Sequence, residues 1–200
     1  MFDLGIKITL CYLLGSINGS MLLGWLLGKS DIRKVGSGNA GATNAYRNFG
    51  RLYGLTVFFI DISKGVIAVL ILAPMLMLTQ IDIQQIYIQY LCGLAALFGH
   101  IFPIWHDYRG GKGVATAVAI VAALHPLLGI TAIILWALAL LVSRYVCIAS
   151  TLAAFSVLIV SYYLNPDFWL QAWLLCISFV ILFMHRSNFE KLQKGIESKI

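Results

Sequence analysis

The chain has 200 residues, of which 60% are hydrophobic and only 11% charged, and its net charge is +6 at neutral pH. A soluble domain carries about 25% charged residues, so this composition excludes a water-soluble globule. The positive balance is then not the footprint of a nucleic-acid binder.

The bilayer is the solvent for most of the chain, and crossing it as a helix takes about 20 apolar residues. In chain order, apolar runs predict spans at Ile6–Leu27, Leu52–Leu78, Ile86–Ile104, Val114–Leu124, Leu127–Val142, Cys147–Leu164 and Phe168–Met184. Met1–Ile6 contains Asp3 and no basic residue, so a cleavable signal peptide is not expected ahead of the first run. The fourth and fifth runs are short and meet at His125-Pro126, where proline breaks the helical ladder. A hairpin of two short helices fits this stretch better than one bent helix. The expected fold is therefore all-α: a polytopic bundle of seven transmembrane helices forming one membrane domain over residues 1–200, with five or six crossings the alternatives.

An outside amino terminus places Gly28–Arg51, Trp105–Gly113, Ser143–Val146 and His185–Ile200 in the cytoplasm. Those segments hold every Lys and Arg except Lys7 and Lys64. The opposite side offers Asp3, Asp82 and Asp167 and no lysine or arginine, as the positive-inside rule requires. Lys7, near a span end, is expected to snorkel. The four cysteines, Cys11, Cys92, Cys147 and Cys176, stand singly in apolar runs, without CxxC spacing, and read as buried free thiols.

Two cytoplasmic segments carry chemistry. The first runs Gly36-Ser37-Gly38-Asn39-Ala40-Gly41-Ala42-Thr43-Asn44-Ala45-Tyr46-Arg47. Glycines let successive N–H groups face an anion, Ser, Thr and Asn add donors, and Arg47 supplies a bidentate fork. A flexible linker would also use glycine and serine, but has no need of the Asn-Thr-Asn-Arg cluster. The second is Arg109-Gly110-Gly111-Lys112-Gly113, followed at once by a helical run. It lacks the GxxxxGK[ST] spacing of nucleotide loops, leaving a lysine in a glycine turn at a helix amino terminus, an anion site. Within the second span, Asp61 and Lys64 share a helical face. They form either a structural ion pair or, through Lys64, a third cation on the anion site. His185, where the last span ends, is either a base, since imidazole titrates near working pH, or a hydrogen-bonding residue that orients a ligand while a substrate phosphate takes the proton. His100 and His106 are weaker candidates, and His125 lies on the acidic face.

The stretches SGNAGATNAYRNFG, GHIFPIWHDYRGGKGVATA and HRSNFEKLQKGIESKI, with DISKG at Asp61–Gly65, resemble the motifs of the bacterial acyl-phosphate glycerol-3-phosphate acyltransferases in order and spacing. The resemblance implies seven transmembrane helices in the bacterial inner membrane. It also implies transfer of a fatty acyl group from acyl phosphate to glycerol 3-phosphate, giving lysophosphatidic acid for phospholipid synthesis. By similarity, Arg47, Lys112, His185 and Asn188 are the expected catalytic residues. Ser37, Gly38, Asn39, Thr43, Lys64, Gly110, Gly111, Gly113 and Glu197 are the expected substrate-binding ones. The tail departs from the pattern, which has an aliphatic residue where Phe189 stands and an arginine where Lys191 keeps the charge without the fork.

Acyl phosphate is already an activated mixed anhydride, so no metal or other cofactor is expected, and no obligate protein partner is evident. The HxxxxD pattern of soluble-donor acyltransferases is missing, since His185 is followed five residues later by Glu190. An anion transporter would also use Gly-rich broken segments and an intramembrane ion pair, but calls for internal repeats and polar groups on both faces. A purely structural membrane subunit leaves the glycine-lysine motifs without a use.

Overall fold

The computed structural model describes residues 2–75, 84–165 and 167–199, and every regular element among them is helical. The last residues of the second apolar run, Asp82 and the outer turn around it lie outside the described residues. The helices are α1 (Phe2–Gly15), α2 (Gly19–Leu26), α3 (Ala42–Phe49), α4 (Arg51–Ile67, continued by a π-helical turn Ala68–Leu72) and α5 (Gln85–Ile101). They are followed by α6 (Val114–Leu124), α7 (Pro126–Ser143), α8 (Val146–Leu164), α9 (Phe168–Met184) and α10 (Arg186–Gln193). Two compact units result, Met1–Ala123 and Leu124–Ile200.

Among the described residues four helices are long and apolar enough to cross a membrane, or six when the pairs α1–α2 and α9–α10, bent by 53° and 47°, each count as one span. The seventh expected crossing falls on α6, whose 11 residues extend about 16 Å at 1.5 Å per residue. That is short of the ~30 Å hydrocarbon core. The first run is not one straight span. Asn18 accepts from the Met21 N–H and caps α2, while the Ser16 hydroxyl bonds back to the Tyr12 carbonyl, so the chain breaks between them. Non-helical backbone at membrane depth must have its polar groups met by protein, and the carbonyl of Ile17 accepts from Lys64 Nζ at 3.1 Å.

In the first unit α1 packs on α5 around Cys11, Ala68, Ile88, Cys92 and Ala96. A Cβ on Gly15 would run into the Ala96 carbonyl, and one on Gly99 into the Tyr12 carbonyl, so the backbones touch here. Small residues permit such closeness where helices pack in lipid. Lys7 does not snorkel. It is buried and donates to the carbonyls of Ala73 and Met75 at 2.7 and 2.6 Å, closing the end of the long fourth helix. A second cluster, Ala45, Tyr53 and Val57, seats α3 on α4, with the Tyr53 hydroxyl donating to the Ser20 carbonyl.

The second unit joins α7, α8 and α9. Trp136 donates to Ser150 and Ser178 to the Ala154 carbonyl, which spares each polar group an unmet hydrogen bond in an apolar setting. Pro126 opens α7 at its first turn, the position proline tolerates best, and Asp167 caps α9 by accepting from the Leu170 N–H.

Candidate active site

The first glycine segment is not an open loop. Asn44, buried on α3, gathers it: its Nδ2 donates to the carbonyls of Ile32, Val35 and Asn39, and its Oδ1 accepts from the Ser37 N–H at 3.0 Å. The Gly38 N–H turns back to the Val35 carbonyl. The amides of Ser37 and Gly38 therefore serve the loop, and the groups it shows outward are the Ser37 hydroxyl and Gly38, with Asn39 half-buried. Thr43 and Arg47 lie one turn apart on α3 and are both exposed, so they share a face next to that loop.

The second segment is held to the first. Arg33 forks onto Asp31 at 2.8–3.2 Å and sends Nη1 to the His106 carbonyl at 2.8 Å. Arg33 thus ties the chain ahead of the first segment to the chain ahead of the second. The guanidinium holds the Asp31 carboxyl below the ordinary carboxylate range.

Beyond His106 the chain folds back on the end of α5. The N–H groups of Gly110 and Gly111 donate to the carbonyls of Ile101 and His100. A side chain on Gly110 would collide with the His100 carbonyl, and one on Gly111 with the His100 imidazole. These two glycines thus exist for close approach, and their amides are engaged inward rather than toward an anion. Lys112 follows, half-exposed, then the buried Gly113, then the first turn of α6, whose leading N–H groups have no acceptor within the helix.

Lys64, expected among the substrate contacts, is only 2% exposed. Its Nζ lies 2.9 Å from Asp61 Oδ1, which in turn lies 3.3 Å from His100 Nδ1. An ammonium engaged by a carboxylate and by the Ile17 carbonyl belongs to the interior of the first unit. The ion pair, one of the two readings, is thus present.

In the second unit, His185 closes α9 at the bend into α10 and is buried. Its Nδ1 sits 2.9 Å from the Ile181 carbonyl. A carbonyl only accepts, so Nδ1 carries the proton and the lone pair of the neutral ring is on Nε2. Asn188 donates through Nδ2 to Glu197 Oε1 at 2.7 Å. Gly195, with φ +69°, turns the tail so that Glu197 comes back to α10. Sequence reasoning named all three residues but not this pairing, and it missed Asn44 as the organiser of the first loop. An asparagine in the first turns of a helix just after a Gly-Ser-Gly-Asn run was the available signal.

The glycerol-3-phosphate acyltransferase family model matches residues 5–195. Relatives include the glycerol-3-phosphate acyltransferase of Listeria welshimeri, 37% identical, covering 96% of this chain and 93% of the relative. Glycerol-3-phosphate acyltransferase 2 of Bacillus anthracis is 37% identical over 98% of both chains. Among solved structures, PlsY (YgiH), an integral membrane glycerol 3-phosphate acyltransferase, matches in its glycerol 3-phosphate form with a TM-score of 0.88 at 34% identity, over 98% of this chain and 95% of that one. Its lysophosphatidic acid form matches with a TM-score of 0.85 at 32% identity, over the same shares of the two chains.

Proposed function

This chain belongs to the glycerol-3-phosphate acyltransferase family, and from that premise we propose that its donor is an acyl phosphate and its products lysophosphatidic acid and inorganic phosphate. The observation that carries the reading is the tie through Arg33. It joins the chain just ahead of the Ser37–Arg47 segment to His106, just ahead of the turn bearing Lys112. The two substrates together bring up to about four negative charges, nearly two per phosphoryl group. Arg47 offers a fork for one phosphate and Lys112 a point charge at a helix amino terminus.

The reaction is a direct displacement. A glycerol hydroxyl oxygen attacks the acyl carbonyl carbon, the new ester C–O bond forms, and the bond from that carbon to the phosphate oxygen breaks. The hydroxyl proton passes to His185 Nε2 and from there to solvent or the departing phosphate. Asn188, held by Glu197, donates a hydrogen bond to a substrate oxygen. Ser37, Asn39 and Thr43 add donors to phosphate. Lys112 and Arg47 stabilise the charge that develops on the carbonyl and the leaving group, and positioning supplies much of the remaining acceleration. The positive-inside distribution of lysine and arginine supports a reaction on the cytoplasmic side of the inner membrane, with the amino terminus outside and seven crossings.

The test is to mix the purified protein in detergent with glycerol 3-phosphate and either palmitoyl phosphate or palmitoyl-CoA. Lysophosphatidic acid and phosphate should appear with the first donor and not the second. Absence of product from palmitoyl phosphate overturns the proposed donor. Lys112→Ala should lower kcat/KM by about 100-fold or more while the protein still inserts and keeps its helical circular dichroism. Near-normal turnover of that variant removes Lys112 from the machinery.

A further inference from the structure

The buried trio Asp61, Lys64 and His100 is left unused by the chemistry above, yet ionised groups inside a membrane protein are costly to keep. Each member has a second attachment. Lys64 holds the Ile17 carbonyl at the break between α1 and α2. The Asp61 carbonyl accepts from the Thr116 hydroxyl at 3.0 Å, on the first turn of α6. The His100 carbonyl accepts from the Gly111 N–H, and its ring lies so close under Gly111 that no side chain fits there. The residues on either side of Lys112 are therefore seated on this trio, Gly111 by His100 and Thr116 by Asp61.

We propose that Asp61, Lys64 and His100 form a positioning device for Lys112, in which the Lys64–Asp61 pair fixes the His100 ring and the ring fixes the height and direction of the Gly110–Gly113 turn. Removing the ring lets the turn settle inward and draws the Lys112 ammonium away from the phosphate it holds. The assignment rests on the role given to Lys112 in the reaction. It makes His100 a positioning residue rather than a catalytic one, since it acts through the backbone of Gly111. It also accounts for a buried ion pair that contributes little net stability on its own.

The experiment is a double-mutant cycle on the full-length protein in detergent, with glycerol 3-phosphate varied at saturating palmitoyl phosphate. His100→Ala should raise the KM for glycerol 3-phosphate about tenfold with a much smaller change in kcat. In a Lys112→Arg background the same change should add less than about twofold, because coupled residues are not additive. A KM that stays at the wild-type value, or effects that simply multiply, overturns the proposal. Gly111→Ala approaches the same contact from the other side and leaves the ion pair intact, and its backbone suits an L-residue. It must reproduce the raised KM, and it decides the matter should His100→Ala fail to fold. The rate at which acetic anhydride labels Lys112, read by mass spectrometry against Lys29 as reference, needs no turnover. It should change at least about threefold in His100→Ala, beyond the scatter of such ratios (about 0.65 kcal/mol by the tenfold-per-1.4 rule). An unchanged ratio overturns the proposal. If wild type makes no product, the reading of the reaction fails by itself, and the labelling still decides whether the trio positions Lys112.

Discussion

Asn188 donates a short hydrogen bond to a carboxylate that arrives from the far side of a glycine turn. A charge-assisted bond of this kind is about twice as strong as a neutral one, and it fixes which way the amide nitrogen points. The pairing gives Glu197 a job without contact to substrate. Glu197→Gln keeps an acceptor oxygen and should retain most of the activity, whereas Glu197→Ala should lower kcat/KM about tenfold, measured by phosphate release. Equal loss in both variants would mean that the negative charge itself is needed. The Asp31–Arg33 fork supports a pH prediction. Arg33 lowers the Asp31 pKa in the folded chain, so the bond's contribution is present above the ordinary carboxylate value and is lost as pH falls through the depressed one. Asp31→Asn should therefore cost a partly exposed pair's worth of stability, under about 1 kcal/mol, at pH 7. The difference from wild type should begin to shrink as the pH falls below about 4 and vanish only below the depressed value. Thermal denaturation across that range checks it, and a gap that widens on acidification contradicts the sign.

The fit of α1 against α5 depends on Gly15 and Gly99, and neither clash is with a flexible side-chain end. Backbone cannot step aside as a rotamer can, so Gly99→Val should cost about 1–3 kcal/mol through overpacking, seen as a lower midpoint in thermal unfolding. Gly5, which a Cβ would leave in open space, serves as the control, and Gly5→Val should be near neutral. If both variants melt alike, the close crossing is not limiting. The same scale shows how far the sequence was legible. Phe168–Met184 and the break at His125-Pro126 stand where hydrophobic length and proline chemistry put them. The helix Ala42–Phe49 did not show. Ala42, Ala45 and Phe49 stand at helical spacing on one face, but eight residues give too short a run to read, and the Gly-rich entry ahead of them reads as loop. The bend after Gly15 escaped for the opposite reason, because the run through it stays apolar while the break is made by Ser16 and Asn18. At the site, residue types were legible from motif chemistry. Partners were not, because the Arg33–His106 and Lys64–Ile17 contacts join residues 73 and 47 positions apart.

For the whole molecule, the distribution of charge predicts which groups each side of the membrane can reach. Lysine and arginine stay on the side where synthesis leaves them, so the proposed topology expects Lys34 and Lys199 on the cytoplasmic side. Asn165, at the end of α8, belongs to the other face in the same scheme. Among the native thiols Cys11, Cys92 and Cys147 are buried and Cys176 partly so, so the native chain, whose own thiols an impermeant reagent should label little, serves as the background. In that background, single variants Lys34→Cys, Asn165→Cys and Lys199→Cys can be challenged with a membrane-impermeant maleimide. Asn165→Cys should label in intact spheroplasts, and the other two only after lysis. The opposite pattern would invert the chain and put Arg47 and Lys112 on the outer face, away from cytoplasmic glycerol 3-phosphate. Labelling of Lys34→Cys and Lys199→Cys from different sides would change the parity of crossings between them. Seven crossings with an outside amino terminus put six between those positions, counting the hairpin at His125-Pro126 as two. An odd number would mean that the 11-residue α6 does not cross by itself.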